Sequence, residues 1–235
     1  MVSERDHHTL DDSVKMFFVL SNAMLDASIA AWDAKREYDS VRPASAIPLL
    51  FRGKIIRAWG GPGKGSVEMA GSRWTPYQSA TFPTPPFPEY VSDLSTYSST
   101  ATHILELWTE SDRFGYSVTL PAGSFKIEPG LTPTRNILLS WRTFSEAADE
   151  AGMSQFYGGI QFRRADLMGR LMGRPVGEAA WMRAQSYFNG SVADLPGINP
   201  QACWAHGTAK VEPATPLLFG FIGVSFEFDP DVASC

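Results

Sequence analysis

Residues 35–43 read Lys-Arg-Glu-Tyr-Asp-Ser-Val-Arg-Pro, and this stretch says more about the fold than any other part of the chain. Its Lys35 and Arg42 are cationic donors at a spacing that lets both converge on one oxyanion. Two later segments complete a three-part pattern. Residues 89–95 read Glu-Tyr-Val-Ser-Asp-Leu-Ser, and residues 154–161 begin with Ser-Gln and end with Gln. The three segments together have the spacing of an oxyanion-binding site.

Composition places the chain among ordinary globular proteins. It has 235 residues, of which 44% are hydrophobic and 19% charged, with a formal net charge of −5. An acidic chain without a basic face is not expected to bind nucleic acid. No apolar run approaches the roughly 18 residues of a membrane span, and the polar start lacks the apolar core of a signal peptide. We therefore expect a cytoplasmic location, with Cys203 and Cys235 as free thiols and a single bridge between them as the alternative.

Hydrophobic periodicity predicts a mainly α-helical protein. Gly152 is expected to end one helix, and Pro175 to interrupt another. The predicted helices cover residues 12–40, 44–51, 92–108, 138–151 and 162–188.

Two helices have faces that can be assigned from the spacing of apolar residues. In the first helix the inward stripe is predicted to end at Lys35, which then needs an anionic partner. The stripe comprises Val14, Phe17, Phe18, Ser21, Met24, Leu25, Ser28, Ala31 and Trp32. In the helix over 92–108, His103 lies off the apolar face and is expected to be exposed. That face comprises Leu94, Tyr97, Ala101, Ile104, Leu105 and Trp108.

The remaining segments are predicted to be irregular or β. Residues 52–90 form a long loop, and residues 115–128 form a small hairpin. The pattern divides the chain into a helical core over 1–190 and an irregular tail over 191–235. Within the tail, alternation over 215–229 predicts one or two strands.

The three segments, in this order, resemble the vanadium-dependent haloperoxidases and their relatives, the type-2 phosphatidic acid phosphatases and bacterial acid phosphatases. That family reads Lys-x₆-Arg-Pro, then Pro-Ser-Gly-His, then Ser-Arg-x₅-His. The resemblance covers about residues 14–190, and residues 85–92 and 140–152 look like the haloperoxidase-type bacterial branch. It implies a helical bundle that wraps vanadate or phosphate. Larger members carry a second bundle before the first motif, so this chain resembles their C-terminal half.

The chain departs from the family at the positions that carry the chemistry. Three positions of the family's core match: Lys35, Arg42 and Ser92. The family's glycine is Asp93, its acid/base histidine is Leu94, its second arginine is Gln155, and its last histidine, which binds vanadium or attacks phosphorus, is Gln161.

These replacements argue against vanadate as a cofactor and against a metal site. A glutamine amide is a poor nucleophile and does not titrate near neutral pH, unlike imidazole. A leucine cannot transfer a proton. A carboxylate at Asp93 within about 4 Å of a bound oxyanion costs about 4 kcal/mol at an effective dielectric constant near 20. No spacing among the four histidines, His7, His8, His103 and His206, predicts a metal site.

Three functions remain open from the sequence. The first is a degenerate, non-catalytic homologue with a binding or structural role. The second is an enzyme that reuses the pocket for a cyclisation or isomerisation, with Asp93 as acid/base and Lys35 and Arg42 as electrophilic donors. The third is a residual haloperoxidase or phosphatase. For each we expect a homodimer or a separate helical partner, because this bundle would expose surface that its relatives cover. A small-molecule ligand remains open as a further partner.

The roles of the motif residues have two interpretations. Lys35 and Arg42 either form structural ion pairs with Asp93, Glu89 or Asp39, or keep a site for an external anion. We expect the Asp93 carboxylate to bridge the two cations in place of the lost oxyanion. Gln155 and Gln161 are expected to be hydrogen-bonded core residues.

Overall fold

The structure, a computed structural model, describes residues 1–79 and 81–191 and is built mainly of helices. The chain divides into two compact units, Met1–Ala184 and Gln185–Cys235, and nearly all described residues belong to the first. The helices are α1 Val2–Arg5, α2 Leu10–Tyr38, α3 Pro43–Leu50, α4 Asp93–Thr109, α5 Phe144–Tyr157 and α6 Arg163–Phe188, with a 3₁₀ turn at Gly71–Arg73. Two antiparallel hairpins pair β1 Ile55–Trp59 with β2 Ser66–Ala70 and β3 Arg113–Leu120 with β4 Ile137–Thr143.

The predicted mainly α-helical class is confirmed, and side-chain caps explain where the helices begin. Thr9 and Asp12 form a capping box that starts α2. The hydroxyl of Ser92 accepts a hydrogen bond from the backbone N–H of Ser95 and starts α4. Pro175 does not interrupt α6, which runs unbroken through it.

The predicted helix over 138–151 is wrong in its first half. Residues 137–143 form β4, which pairs with β3 so that Val118 lies opposite Leu139. Exposure alternates along β4, as expected for a half-buried strand. A capping box of Thr143 and Glu146 then starts α5. The predicted hairpin over 115–128 therefore has the wrong second strand.

The predicted loop over 52–90 contains the hairpin β1–β2, which a buried carboxylate ties to the rest of the protein. Glu128 accepts hydrogen bonds from the Trp59 indole (3.3 Å), the Gly63 backbone N–H (3.0 Å) and the Tyr77 hydroxyl (2.9 Å). These three donors hold the pKa of Glu128 below its usual value, and the Gly63 N–H has the largest effect. Glu128 and Tyr77 lie outside the hairpin, so their hydrogen bonds fix the hairpin to two other loops.

The buried face of α2 is not the predicted one. Of the predicted stripe only Ala31 and the terminal Lys35 are buried. The helix packs instead through small side chains, which let its neighbours approach closely. The buried residues of α2 are Met16, Val19, Ala23, Ala27, Ala31, Ala34 and Lys35. Its large apolar side chains face outward: Leu10, Val14, Phe17, Phe18, Leu25, Ile29 and Trp32.

Helix α4 also buries a face that was not predicted. Its buried residues are polar apart from Ile104, and most of them are small: Ser95, Thr96, Ser99, Thr100, His103 and Ile104. The glycines of α6 permit this packing, because a Cβ at Gly173 would lie 2.5 Å from the Thr96 carbonyl oxygen. His103, predicted to be exposed, is buried, with its ring nitrogens 3.2 Å from Glu106 and 2.9 Å from Glu178.

Gly152 does not end its helix but makes room for a buried ion pair. It lies inside α5, and a Cβ there would overlap with the carboxylate of Asp166. Asp166 is fully buried and accepts hydrogen bonds from Arg170 Nη2 (2.6 Å), Arg170 Nε (2.9 Å) and Ser95 Oγ (2.7 Å). Arg170 also pairs with the exposed Asp149 at 2.6 Å. This network joins α4, α5 and α6.

One stretch is apolar enough to bear on the membrane question. Within Leu10–Leu50, an 18-residue window has a mean hydropathy of 1.4 and is 28% buried, which suffices to cross a membrane by length and composition alone. The core helices of soluble proteins meet the same criterion. The expectation that no apolar run approaches a membrane span is therefore too strong here. The predicted tail, including its strands, Cys203, Cys235 and His206, lies outside the described residues except at Ser191.

Candidate functional site

Lys35 lies in the last turn of α2, fully buried, and its ammonium group contacts backbone oxygens. Nζ donates to the carbonyls of Pro88 (3.0 Å), Glu89 (3.2 Å) and Val91 (2.7 Å). An ammonium group has three N–H donors, so all three have acceptors within the chain. Lys35 acts here as a clamp on the segment that leads into α4.

Burial and neighbouring charges act on Lys35 in opposite directions. Burial and the charge of Arg42 lower its pKa, Asp93 and Glu89 raise it, and the net effect is a pKa of about 8. The Asp93 carboxylate is the nearest counter-charge, with Oδ1 at 4.0 Å from Nζ. The ion pair of Lys35 with Asp93 is thus present, at the outer limit of such contacts.

Arg42 lies immediately before α3 and also donates to backbone oxygens. Its Nε bonds the Phe87 carbonyl (2.6 Å), Nη2 the Pro88 carbonyl (3.3 Å) and Nη1, weakly, the Ile160 carbonyl (3.5 Å). The guanidinium lies 4.5 Å from the centre of the Phe87 ring. No ion pair joins it to Asp93 in the described part of the chain, so the predicted bridge between the two cations is only half present.

Glu89 is the buried carboxylate of the site, and the sequence assigned it no special role beyond a possible ion pair. It is 4% exposed, and its Oε1 accepts a hydrogen bond from the Phe162 backbone N–H at 2.6 Å. The Gln161 amide, oriented by its hydrogen bonds, donates to the same oxygen (2.7 Å) and to the Glu89 carbonyl (2.8 Å). Burial raises the pKa of Glu89 to about 7, although the hydrogen bond from Phe162 and the charges of Lys35 and Arg42 lower it.

Ser92 is fully buried at the start of α4, and its hydroxyl makes its hydrogen bonds within the protein interior. Its hydroxyl caps the helix and lies 2.8 Å from the hydroxyl of Ser95, which donates to Asp166. Ser92 does not line the pocket described below. The residue that matches the family's serine is therefore part of the α4–α6 packing.

The other motif residues meet around a small pocket of about 270 Å³. Its polar lining consists of Arg42, Asp93, Gln155 and Gln161. Its apolar lining consists of Pro85, Phe87, Leu94, Tyr97 and Ile160. The structure thus brings four predicted site residues to one cavity, and Lys35 lies 4.0 Å from one of them, Asp93. No group of three or more His, Cys, Asp or Glu side chains that could hold a metal occurs within residues 1–79 and 81–191.

Comparison with known proteins places this arrangement in a family. A family model described as the VCPO second helical-bundle domain matches residues 15–190. Solved structures are also similar to the chain over part of their own length. A holo-type bacterial vanadium-dependent chloroperoxidase is 30% identical, with a TM-score of 0.67, covering 71% of this chain and 35% of that one. No curated protein sequence matches the chain.

Two further structures give the same result. An apo-type bacterial vanadium-dependent chloroperoxidase is 29% identical, with a TM-score of 0.71, covering 76% of this chain and 38% of that one. A bacterial vanadium-dependent iodoperoxidase is 27% identical, with a TM-score of 0.55, covering 77% of this chain and 35% of that one. The chain spans little more than a third of the length of these relatives. From the family match and these structures, the chain belongs to the vanadium haloperoxidase superfamily and corresponds to its second helical bundle.

Proposed function

We propose that this protein has lost the vanadate- and phosphate-dependent chemistry of its superfamily and acts by binding. The observation that carries the proposal is the donor set of the pocket. Every N–H of Lys35 is directed at a backbone carbonyl, and the Asp93 carboxylate lines the pocket. An added anion would meet this negative charge, while the Lys35 N–H groups and the Nε and Nη2 groups of Arg42 already donate to backbone carbonyls.

The residues of the pocket do not fit vanadate as a ligand. Attachment to vanadium or phosphorus requires an imidazole nitrogen in this family, and the corresponding side chain is the amide of Gln161. That amide is already bonded to Glu89 and has no basic lone pair. Leu94 lines the same pocket where a proton donor would be required.

A second candidate, an enzyme with a different acid/base reaction, is favoured by the position of Asp93. Its side chain is 26% exposed, lines the pocket and takes part in no hydrogen bond with the described residues. Turnover of a metabolite that is abolished by Asp93→Asn, with folding intact, would establish it. A metabolite screen in which no compound is converted would rule against this enzyme and favour the binding role.

We expect no catalytic turnover in the assays of the superfamily. Bromide or chloride oxidation by peroxide, with orthovanadate added, should remain at the blank rate, as should hydrolysis of an aryl phosphate. The variant Gln161→His should be equally inactive, because the histidine expected at Leu94 and the arginine expected at Gln155 would still be missing. Reproducible vanadate-dependent halogenation by the unmodified chain would refute the proposal.

We further propose that the exposed face of α2 takes up another helical bundle. Phe17 is 57% exposed, Leu25 60% and Ile29 53%, which is unusual for large apolar side chains that follow one helix face. The superfamily match is to a second bundle, and the similar chloroperoxidases have nearly two thirds of their length outside the aligned region. A bundle with a complementary apolar face, on the same polypeptide or on another, fits this surface.

This face predicts self-association when the 235-residue chain is studied alone. Light scattering should give a dimer or larger species, and the triple variant Phe17→Ser, Leu25→Ser, Ile29→Ser should give a soluble monomer with unchanged circular dichroism. The exposed, charged positions Glu37 and Arg36 provide a control double variant, to Ser, which should still associate. A monomeric unmodified chain at high concentration, or retention on lipid vesicles in place of self-association, would contradict a helical partner.

A further inference from the structure

We propose that the pocket binds an uncharged small molecule with an amide group on an apolar ring. This inference rests on the proposed loss of oxyanion binding and names the ligand class that the altered pocket accepts. It is drawn from three properties of the cavity: its charge balance, its unpartnered polar groups and its apolar wall.

Two cations, Lys35 and Arg42, face two carboxylates, Asp93 and Glu89, around the pocket, and this near balance of charge disfavours an ionic ligand of either sign. Asp93 faces Lys35 at 4.0 Å, and Arg42 lines the same cavity. An added anion would face the Asp93 carboxylate while the Lys35 donors are directed elsewhere. An added cation would compete with Lys35 for Asp93 and lie near the Arg42 guanidinium. A neutral molecule avoids both costs.

Two polar side chains in the pocket have unused hydrogen-bonding capacity. The Asp93 carboxylate accepts no hydrogen bond from the described residues, and its only ion pair is the long one with Lys35. The Gln155 amide lines the pocket, half-buried, and its side chain has no hydrogen-bond partner among residues 1–79 and 81–191. A ligand amide can donate N–H to the carboxylate and pair its other groups with Gln155.

The remainder of the pocket is apolar and sized for one ring. Phe87 is held in place by the Trp32 ring at 4.9 Å and by Arg42 over its face. Leu94 and Tyr97 complete this wall. The cavity of about 270 Å³ is below the roughly 300–1,000 Å³ of typical drug-sized sites, so a single-ring compound suits it.

The test compares three ligands that share a ring and differ in charge: benzamide, benzoate and benzylammonium. Protein-observed NMR titration of the unmodified chain should give Kd for benzamide at least tenfold lower than for either ion. Gln155→Ala should raise the benzamide Kd at least fivefold, and Leu94→Trp should abolish binding by filling the pocket. In Asp93→Asn the Kd for benzoate should fall to that for benzamide. The matched control is Asp33→Asn, at an exposed position on α2, which should leave all three Kd values unchanged. Unchanged circular dichroism checks that each variant folds.

The outcomes separate this inference from the proposed function. Absence of benzamide binding, or equal Kd values for the three ligands, overturns the inference even if orthovanadate also fails to bind. Preference for benzoate overturns the charge argument. Saturable orthovanadate binding overturns the inference and the proposed function together. Benzamide binding that persists in Leu94→Trp places the ligand elsewhere and also overturns it.

Discussion

Replacement of Asp166 by alanine should destabilise the protein by about 3–5 kcal/mol, the cost of leaving a buried charge without its partner. Asp166 is fully buried and receives two hydrogen bonds from Arg170 and one from Ser95. Its removal leaves Arg170, which is only 17% exposed, with the peripheral Asp149 alone. The chain should then unfold at a markedly lower urea concentration.

The matched control removes the other carboxylate of the same arginine. Asp149 is 62% exposed, and its backbone carbonyl, which also accepts from Arg170, survives the substitution. Asp149→Ala should therefore cost at most about 1 kcal/mol. If both substitutions shift the urea midpoint equally, or if Asp166→Ala costs less than about 1 kcal/mol, the Asp166–Arg170 pair does not hold α4, α5 and α6 together as described.

Replacement of Glu89 by glutamine should change how stability depends on pH. In the folded protein burial raises the pKa of Glu89 from 4.5 to about 7, so the folded state binds an extra proton between these pH values. Stability contributed by this group therefore falls as pH rises from 4.5 to 7. The difference corresponds to about 3 kcal/mol. Urea unfolding of Glu89→Gln should lack this fall.

Comparing Glu89→Gln with the unmodified chain isolates the contribution of Glu89 to the pH dependence of stability, because the other titrating groups are present in both proteins. The exposed Glu37 offers a control, since Glu37→Gln should follow the unmodified chain at each pH. Parallel stability profiles for Glu89→Gln and the unmodified chain between pH 4.5 and 7 would show that Glu89 is ionised normally in the folded state. The argument that its carboxylate is desolvated beside Lys35 would then be wrong.

The motif spacing carried most of the information that the sequence held about the site. Residues separated by more than a hundred positions, such as Arg42 and Gln161, line one cavity. Their contacts were less predictable. Lys35 and Arg42 satisfy most of their donors with the carbonyls of residues 87–91, and backbone acceptors leave no trace in side-chain patterns.

The helix boundaries were largely predictable, but the helix faces were not. Periodicity assigns large apolar residues to the interior, whereas α2 packs through alanines and α4 through serines and threonines against α6. Close approach of helix backbones favours small side chains, and the large ones are left for the outer surface. Glycines such as Gly173 are the sequence feature that could have indicated this packing.

The burial of two carboxylates was not predicted, for a related reason. Glu89 and Asp166 each need partners from other elements, Phe162 for one and Ser95 for the other, so no local pattern marks them. The strand over 137–143 was missed because its apolar residues also fit a helical stripe. Only the capping box at Thr143 and Glu146 separates the strand from the helix.

The central claim is that the pocket has lost its oxyanion site, and calorimetric titration with orthovanadate tests it most directly. The unmodified chain should give no saturable heat. A variant that restores the family residues together, Asp93→Gly, Leu94→His, Gln155→Arg and Gln161→His, should gain one vanadate site, since it removes a carboxylate and adds an arginine and a vanadium ligand. One saturable site for orthovanadate in the unmodified chain, of affinity equal to that of the restored variant, would contradict the account.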